Sequence, residues 1–171
     1  IGTKPVYYHV LSALLHGFAA IAVWVLVRLL WANEQRLAAL SAILFAVYPG
    51  YSLQPISIQN SHLFLQYNLC LWSLVLMVLA MRRKTGAWLA IGIAVLAMSC
   101  SLLFNEYFLG LEMARPFVAW IVLKDDNLNV RARLIGTLKA SAPFLLVVGI
   151  YGYWRVKIFT PGMYDAKELG R

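Results

Sequence analysis

The stretch from 62 to 81, HLFLQYNLCLWSLVLMVLAM, carries no charge and stops at Arg82-Arg83-Lys84. As a helix rising about 1.5 Å per residue it is long enough to cross the hydrocarbon core of a bilayer. The rest of the chain repeats the pattern. Of 171 residues, 62% are hydrophobic and 13% charged, and the mean hydropathy is +0.73. Soluble domains are roughly half apolar and a quarter charged. A soluble fold of this size cannot bury so much apolar surface, because its area shrinks too slowly relative to its volume. Lipid is the natural sink.

Working outward, the preceding apolar runs are 10–30, VLSALLHGFAAIAVWVLVRLL, and the shorter 37–49, LAALSAILFAVYP, which reads as a half-length or tilted helix closed by Pro49 and Gly50. The twelve residues from Gly50 to Ser61 are rich in amides and hydroxyls and read as a loop or as a re-entrant stretch lining a polar cavity. After the central stretch come 87–104, AWLAIGIAVLAMSCSLLF, then roughly 107–123, a polar stretch from Lys124 to Lys139, and 142–154, APFLLVVGIYGYW. The expected fold class is all-α, a polytopic transmembrane helical bundle of about six spans in one domain over 1–171. The opening IGTKPVYYHV has neither an initiator Met nor a signal-peptide core, and the expectation is an internal fragment of a longer chain. No internal repeat or low-complexity segment interrupts it.

The formal charge is +8, but the basic residues sit at the ends of apolar runs. That argues for membrane surfaces and against nucleic acid as the partner. One set of loops holds Arg28, Arg36, Arg82, Arg83, Lys84, Lys124, Arg131, Arg133 and Lys139; the opposite set holds Lys4, Arg115, Arg155, Lys157, Lys167 and Arg171. The nine-to-six excess predicts a multi-pass protein of a bacterial inner or plasma membrane, with both ends of this segment outside. Cys70 and Cys100 lie within apolar runs and read as small buried hydrophobes, with no metal-ligand spacing. HExxH, GxSxG, Walker and GxGxxG patterns are missing from the sequence, and no cofactor is implied.

The chemistry concentrates in 104–116, FNEYFLGLEMARP. Glu112 and Arg115 are three apart and share a helix face. Two readings stand for them. They neutralise each other inside the bundle, or Arg115 presents its fork of donors to a phosphate while Glu112 orients it. Glu106 has no nearby cation in the sequence and is the candidate for catalysis, since an unpaired carboxylate at membrane depth needs a reason. His62 and Asn60 open the central span on the same side and are candidates for substrate contact. Arg155 follows the last span and either anchors it or faces a lipid phosphate. His9 and His16, two turns apart, share a face of the first span, with helix packing the simpler role. Gln66 and Asn68 are candidates for bonds across helices.

The order of PVYYHVLSALLHG, AILFAVYPGYSLQP, HLFLQYNL, LLFNEYFLGLEMARP and YWRVKIF resembles the multi-span core of GT-C superfamily glycosyltransferases, especially protein O-mannosyltransferase-like enzymes that use a polyprenyl-phosphate-linked sugar. The resemblance covers roughly 5–123. Tyr48-Pro49 stands where that family has His-Pro, and Asn105-Glu106 takes its Lys-Glu place, keeping the Glu and losing the Lys. It implies part of an inverting glycosyltransferase acting at the outer face, with a polyprenyl-phosphate-linked sugar as partner and the catalytic Asp on a loop upstream of Ile1. Two other functions fit the same residues. One is a non-catalytic membrane subunit of a larger complex; the other is a transporter-like bundle.

Overall fold

The computed structural model describes residues 5–48, 57–83, 85–104, 108–124 and 129–159. They form α1 (Pro5–Leu30), α2 (Gln35–Val47), α3 (Ser57–Arg82), α4 (Ala87–Phe104), α5 (Leu109–Glu112), α6 (Arg115–Val122) and α7 (Val130–Trp154), followed by a π-helical turn, Arg155–Phe159. Among the described residues there is no strand. The fold is an all-α bundle, and each expected apolar segment is helical over most of its described residues.

Among the described residues, four stretches are long and apolar enough to cross a membrane: Val6–Leu30, His62–Arg82, Ala87–Phe104 and Val130–Lys157. The chain is therefore an integral membrane protein. The other two apolar segments are built differently. At 13 residues, α2 is about 20 Å long, short of a full crossing. The expected 107–123 segment is split into α5 and α6 by a turn at Met113 and Ala114. Pro116 accounts for the split, because its ring has no N–H to offer Glu112 and would clash with that carbonyl in a continuous helix. Pro116 is tolerated instead in the first turn of α6, directly after Arg115.

Two boundaries differ from the sequence reading. The polar stretch before residue 142 is helical from Val130, because Asn129 caps α7 by accepting a hydrogen bond from the Ala132 amide at 2.7 Å. Residues 57–61, expected as loop, are the first turn of α3.

Side-chain contacts fix the directions. His16 and Phe18 of α1 meet Tyr67 and Trp72 of α3 in the same order, so these helices run parallel. Ser73 bonds to Ala94 and Ser101 to Gln66, so α3 and α4 are antiparallel. Arg115 lies over Phe144 and Arg133 over Trp120, so α6 and α7 are antiparallel. Arg28, Arg82, Arg83, Lys124, Arg131 and Arg133 thereby collect at one end of the bundle. Arg155 and Lys157 lie at the other.

The core is organised around α3. Leu74, Met77 and Val78 pack with Ala94, Met98 and Leu102 of α4, Val122 of α6 and Phe144 of α7. A second cluster joins Ala19, Phe64 and Tyr67. The outward faces of the other helices carry Leu14, Leu44, Leu96, Phe117 and Leu146, all exposed. Such a mantle suits hydrocarbon and would aggregate in water. Because lipid is as apolar as these side chains, helix association needs close packing and polar bonds. Ala19, Ala22 and Ala38 are fully buried and allow close packing.

His16 supplies the polar tie among the first three helices. Its Nε2 lies 3.0 Å from the Ala46 carbonyl, which can only accept, so Nε2 carries the proton. In the neutral ring Nδ1 then accepts from the Tyr67 hydroxyl at 3.1 Å. The Ala46 carbonyl is in the last turn of α2, where intrahelical donors have run out. His16 is buried and His9 is exposed, so the two do not form one buried polar stripe.

Prediction: His16→Ala lowers stability by about 2–3 kcal/mol through lost hydrogen bonds and packing, while Tyr67→Phe costs about 1 kcal/mol. Unfolding in mild detergent checks both. The double variant should cost less than the sum, since the two share one bond.

Candidate functional site

The Pro116 break puts Glu112 at the end of one short helix and Arg115 at the start of the next, side by side against α3. Arg115 Nε and Nη2 both donate to the Glu112 carboxylate, the Nη2–Oε1 distance being 3.0 Å. This is a two-pronged guanidinium–carboxylate pair, the geometry that Lys cannot reproduce. Nη2 also donates to Ser73 Oγ at 2.9 Å, and Ser73 Oγ passes a hydrogen bond to the Ala94 carbonyl at 2.5 Å. From one turn earlier on α3, the Cys70 thiol donates to Glu112 Oε1 at 3.1 Å. The Arg115 guanidinium carbon lies 4.2 Å above the centre of the Phe144 ring, whose negative face attracts a cation.

Four helical elements and α5 thus converge on one ion pair. Arg115 is 1% and Glu112 3% exposed. A lone charge at that depth would cost several kcal/mol, so the pair must be neutral as a unit. Arg115 Nη1 alone has no hydrogen-bond acceptor. The pairing of Glu112 with Arg115, common to both readings of these residues, is present.

The remaining candidates lie elsewhere. His62 is exposed in the second turn of α3, eleven residues before Ser73, which is about 16 Å along the axis. It does not meet Arg115. Arg155 is half-buried at the start of the π-helical turn, toward the same bundle end as His62. Glu106 and the side chain of Asn60 lie outside the described residues. Phe104, two residues before Glu106, closes α4 at that same end.

Several partners were not legible in the sequence. Cys70 and Ser73 share a face of α3, but nothing in their spacing points to Glu112, forty-two residues away from Cys70. Cys70 is a hydrogen-bond donor as well as a small buried side chain. The expected cross-helix role of Asn68 is present: its Nδ2 donates to the Leu15 carbonyl at 2.8 Å. Among the described residues no three His, Cys, Asp or Glu side chains gather in a metal-binding group. Among the described residues, one lateral groove lies between α4 and α7 and another between α1 and α2. Neither is lined by His62, Glu112 or Arg115.

Prediction: Arg115→Met destabilises the bundle by about 3–5 kcal/mol, because it strands a buried carboxylate. Adding Glu112→Leu restores most of that loss, since an apolar replacement of both partners is often neutral. Thermal unfolding of the single and double variants in detergent measures the difference. No protein-family model, curated protein or solved structure matches the chain.

Proposed function

We propose that the chain is the membrane-embedded helical part of an inverting glycosyltransferase that takes its sugar from a polyprenyl phosphate at the outer membrane face. The reading starts from the resemblance of its motifs to GT-C enzymes. The structural observation that supports it is the brace formed by Glu112, Arg115, Ser73 and Cys70. That brace fixes the segment just after Glu106 against α3, whose exposed His62 is at the same bundle end as the close of α4. Arg115 and Glu112 are then positioning residues, and contact with the donor phosphate falls to cations at the His62 end.

In this reading Glu106 orients the sugar or takes the proton from the acceptor hydroxyl. The acceptor oxygen bonds to the anomeric carbon as the carbon–oxygen bond to the phosphate breaks, and the polyprenyl phosphate leaves. The basic end of the bundle faces the cytoplasm, as the distribution of Lys and Arg favours, and the His62 end faces outward.

A second reading, a non-catalytic membrane subunit of a larger complex, is favoured by one observation. The buried charges neutralise each other, as a purely structural pair would.

Prediction: in the complete protein, Glu106→Gln lowers sugar transfer by about 100-fold or more with folding intact. Unchanged transfer would remove Glu106 from the mechanism. The Arg115→Met, Glu112→Leu double variant, folded but with its brace altered, should lose turnover while still binding the donor. Absence of any transfer from polyprenyl-phosphate sugars by the wild-type protein would favour the non-catalytic reading.

A further inference from the structure

We infer that the lateral groove between α4 and α7 holds one chain of an anionic membrane phospholipid, with its headgroup on Lys157. The groove is lined by Ser99, Leu102 and Leu103 of α4 and by Val147, Ile150, Tyr151 and Trp154 of α7, and its volume is about 400 Å³. The inference stands apart from the glycosyltransferase reading and rests on three features of this end of the bundle.

The walls are apolar. Apart from the Tyr151 hydroxyl and the Trp154 indole N–H, the one polar side chain in the lining is Ser99, whose hydroxyl is spent on the Val95 carbonyl at 2.8 Å. The stretch lined by Leu102, Leu103, Val147 and Ile150 offers no side-chain hydrogen bond, and a hydrocarbon chain loses nothing on entering it. The volume is at the small end of the roughly 300–1,000 Å³ typical of ligand sites, which suits a single chain.

The mouth is amphipathic. Tyr151 and Trp154 lie at the end of α7 with ring centres 5.9 Å apart. Such rings favour the headgroup level, where an apolar body meets a polar rim. This fixes which end of the groove faces the headgroups.

Charge then selects the lipid. Lys157 is exposed, three residues beyond Trp154, and Arg155 is in the same π-helical turn. Most of the other described cations are at the opposite end of the bundle, so this pair is a local feature of the groove's mouth. A cation next to a rim of aromatic rings favours a phosphate carrying net negative charge over a zwitterionic headgroup.

The test reconstitutes the full chain in nanodiscs of mixed phosphatidylglycerol and phosphatidylcholine and counts retained lipids by native mass spectrometry. The wild type should retain phosphatidylglycerol preferentially. Lys157→Gln should cut that preference about fivefold, the effect of one cation near the surface. Leu103→Trp, which fills the groove from an exposed position, should reduce retention of both lipids. Equal retention of the two lipids by the wild type would overturn the inference, as would a preference unmoved by Lys157→Gln. Displacement of phosphatidylglycerol by equimolar polyprenyl phosphate would overturn it too, by assigning the groove to an isoprenoid lipid.

Discussion

A guanidinium in the middle of a bilayer has no water to solvate it, and that scarcity shapes the centre of this bundle. Arg115 needs a carboxylate, and Glu112 supplies one from the same short stretch. Both need fixed neighbours, and α3 supplies them as Cys70 and Ser73. The Ser73 hydroxyl passes the chain of hydrogen bonds on to the Ala94 carbonyl of α4, and Phe144 brings in α7. One ion pair therefore ties α3, α4, α6 and α7 at a single level. In lipid, where apolar contact gives helices little reason to associate, such polar ties specify which faces meet.

The same logic separates α3 from its neighbours. Gln66, Asn68, Cys70 and Ser73 are all buried on it, while the helices around it turn mostly apolar faces outward. His16 ties α1 and α2 to this polar centre through Tyr67 and Ala46. A few polar ties are set within a mostly apolar core, and the outward faces are apolar as well, unlike those of a soluble domain.

The bundle itself was legible in the sequence because length and hydropathy are local. The run from 62 to 81 can cross a bilayer whatever surrounds it, and the three-residue spacing of Glu112 and Arg115 signals their pairing, although a turn between α5 and α6, not one helix face, brings them together. What escaped was either a short-range competition or a long-range contact. Pro116 broke an apolar run that hydropathy alone reads as continuous. Asn129 started α7 a dozen residues before the apolar run, because a cap and helical propensity outweigh polarity in extending a helix beyond the membrane. The roles of Cys70, Ser73 and Phe144 depend on tertiary packing, which no local pattern encodes. Arg115 illustrates the limit: its presence at membrane depth signals importance, but only its neighbours distinguish a ligand contact from a brace.

The close spacing of Glu112 and Arg115 also bears on how the protein is made. Had the counterion of Arg115 come from a distant helix, the segment would have to leave the translocon carrying an unmatched positive charge and wait for its partner. With the carboxylate only three residues earlier in the chain, acid and base emerge together, and the segment enters the bilayer already electrically neutral. Cys70 and Ser73, synthesised earlier, then have only to orient a dipole that has formed on its own.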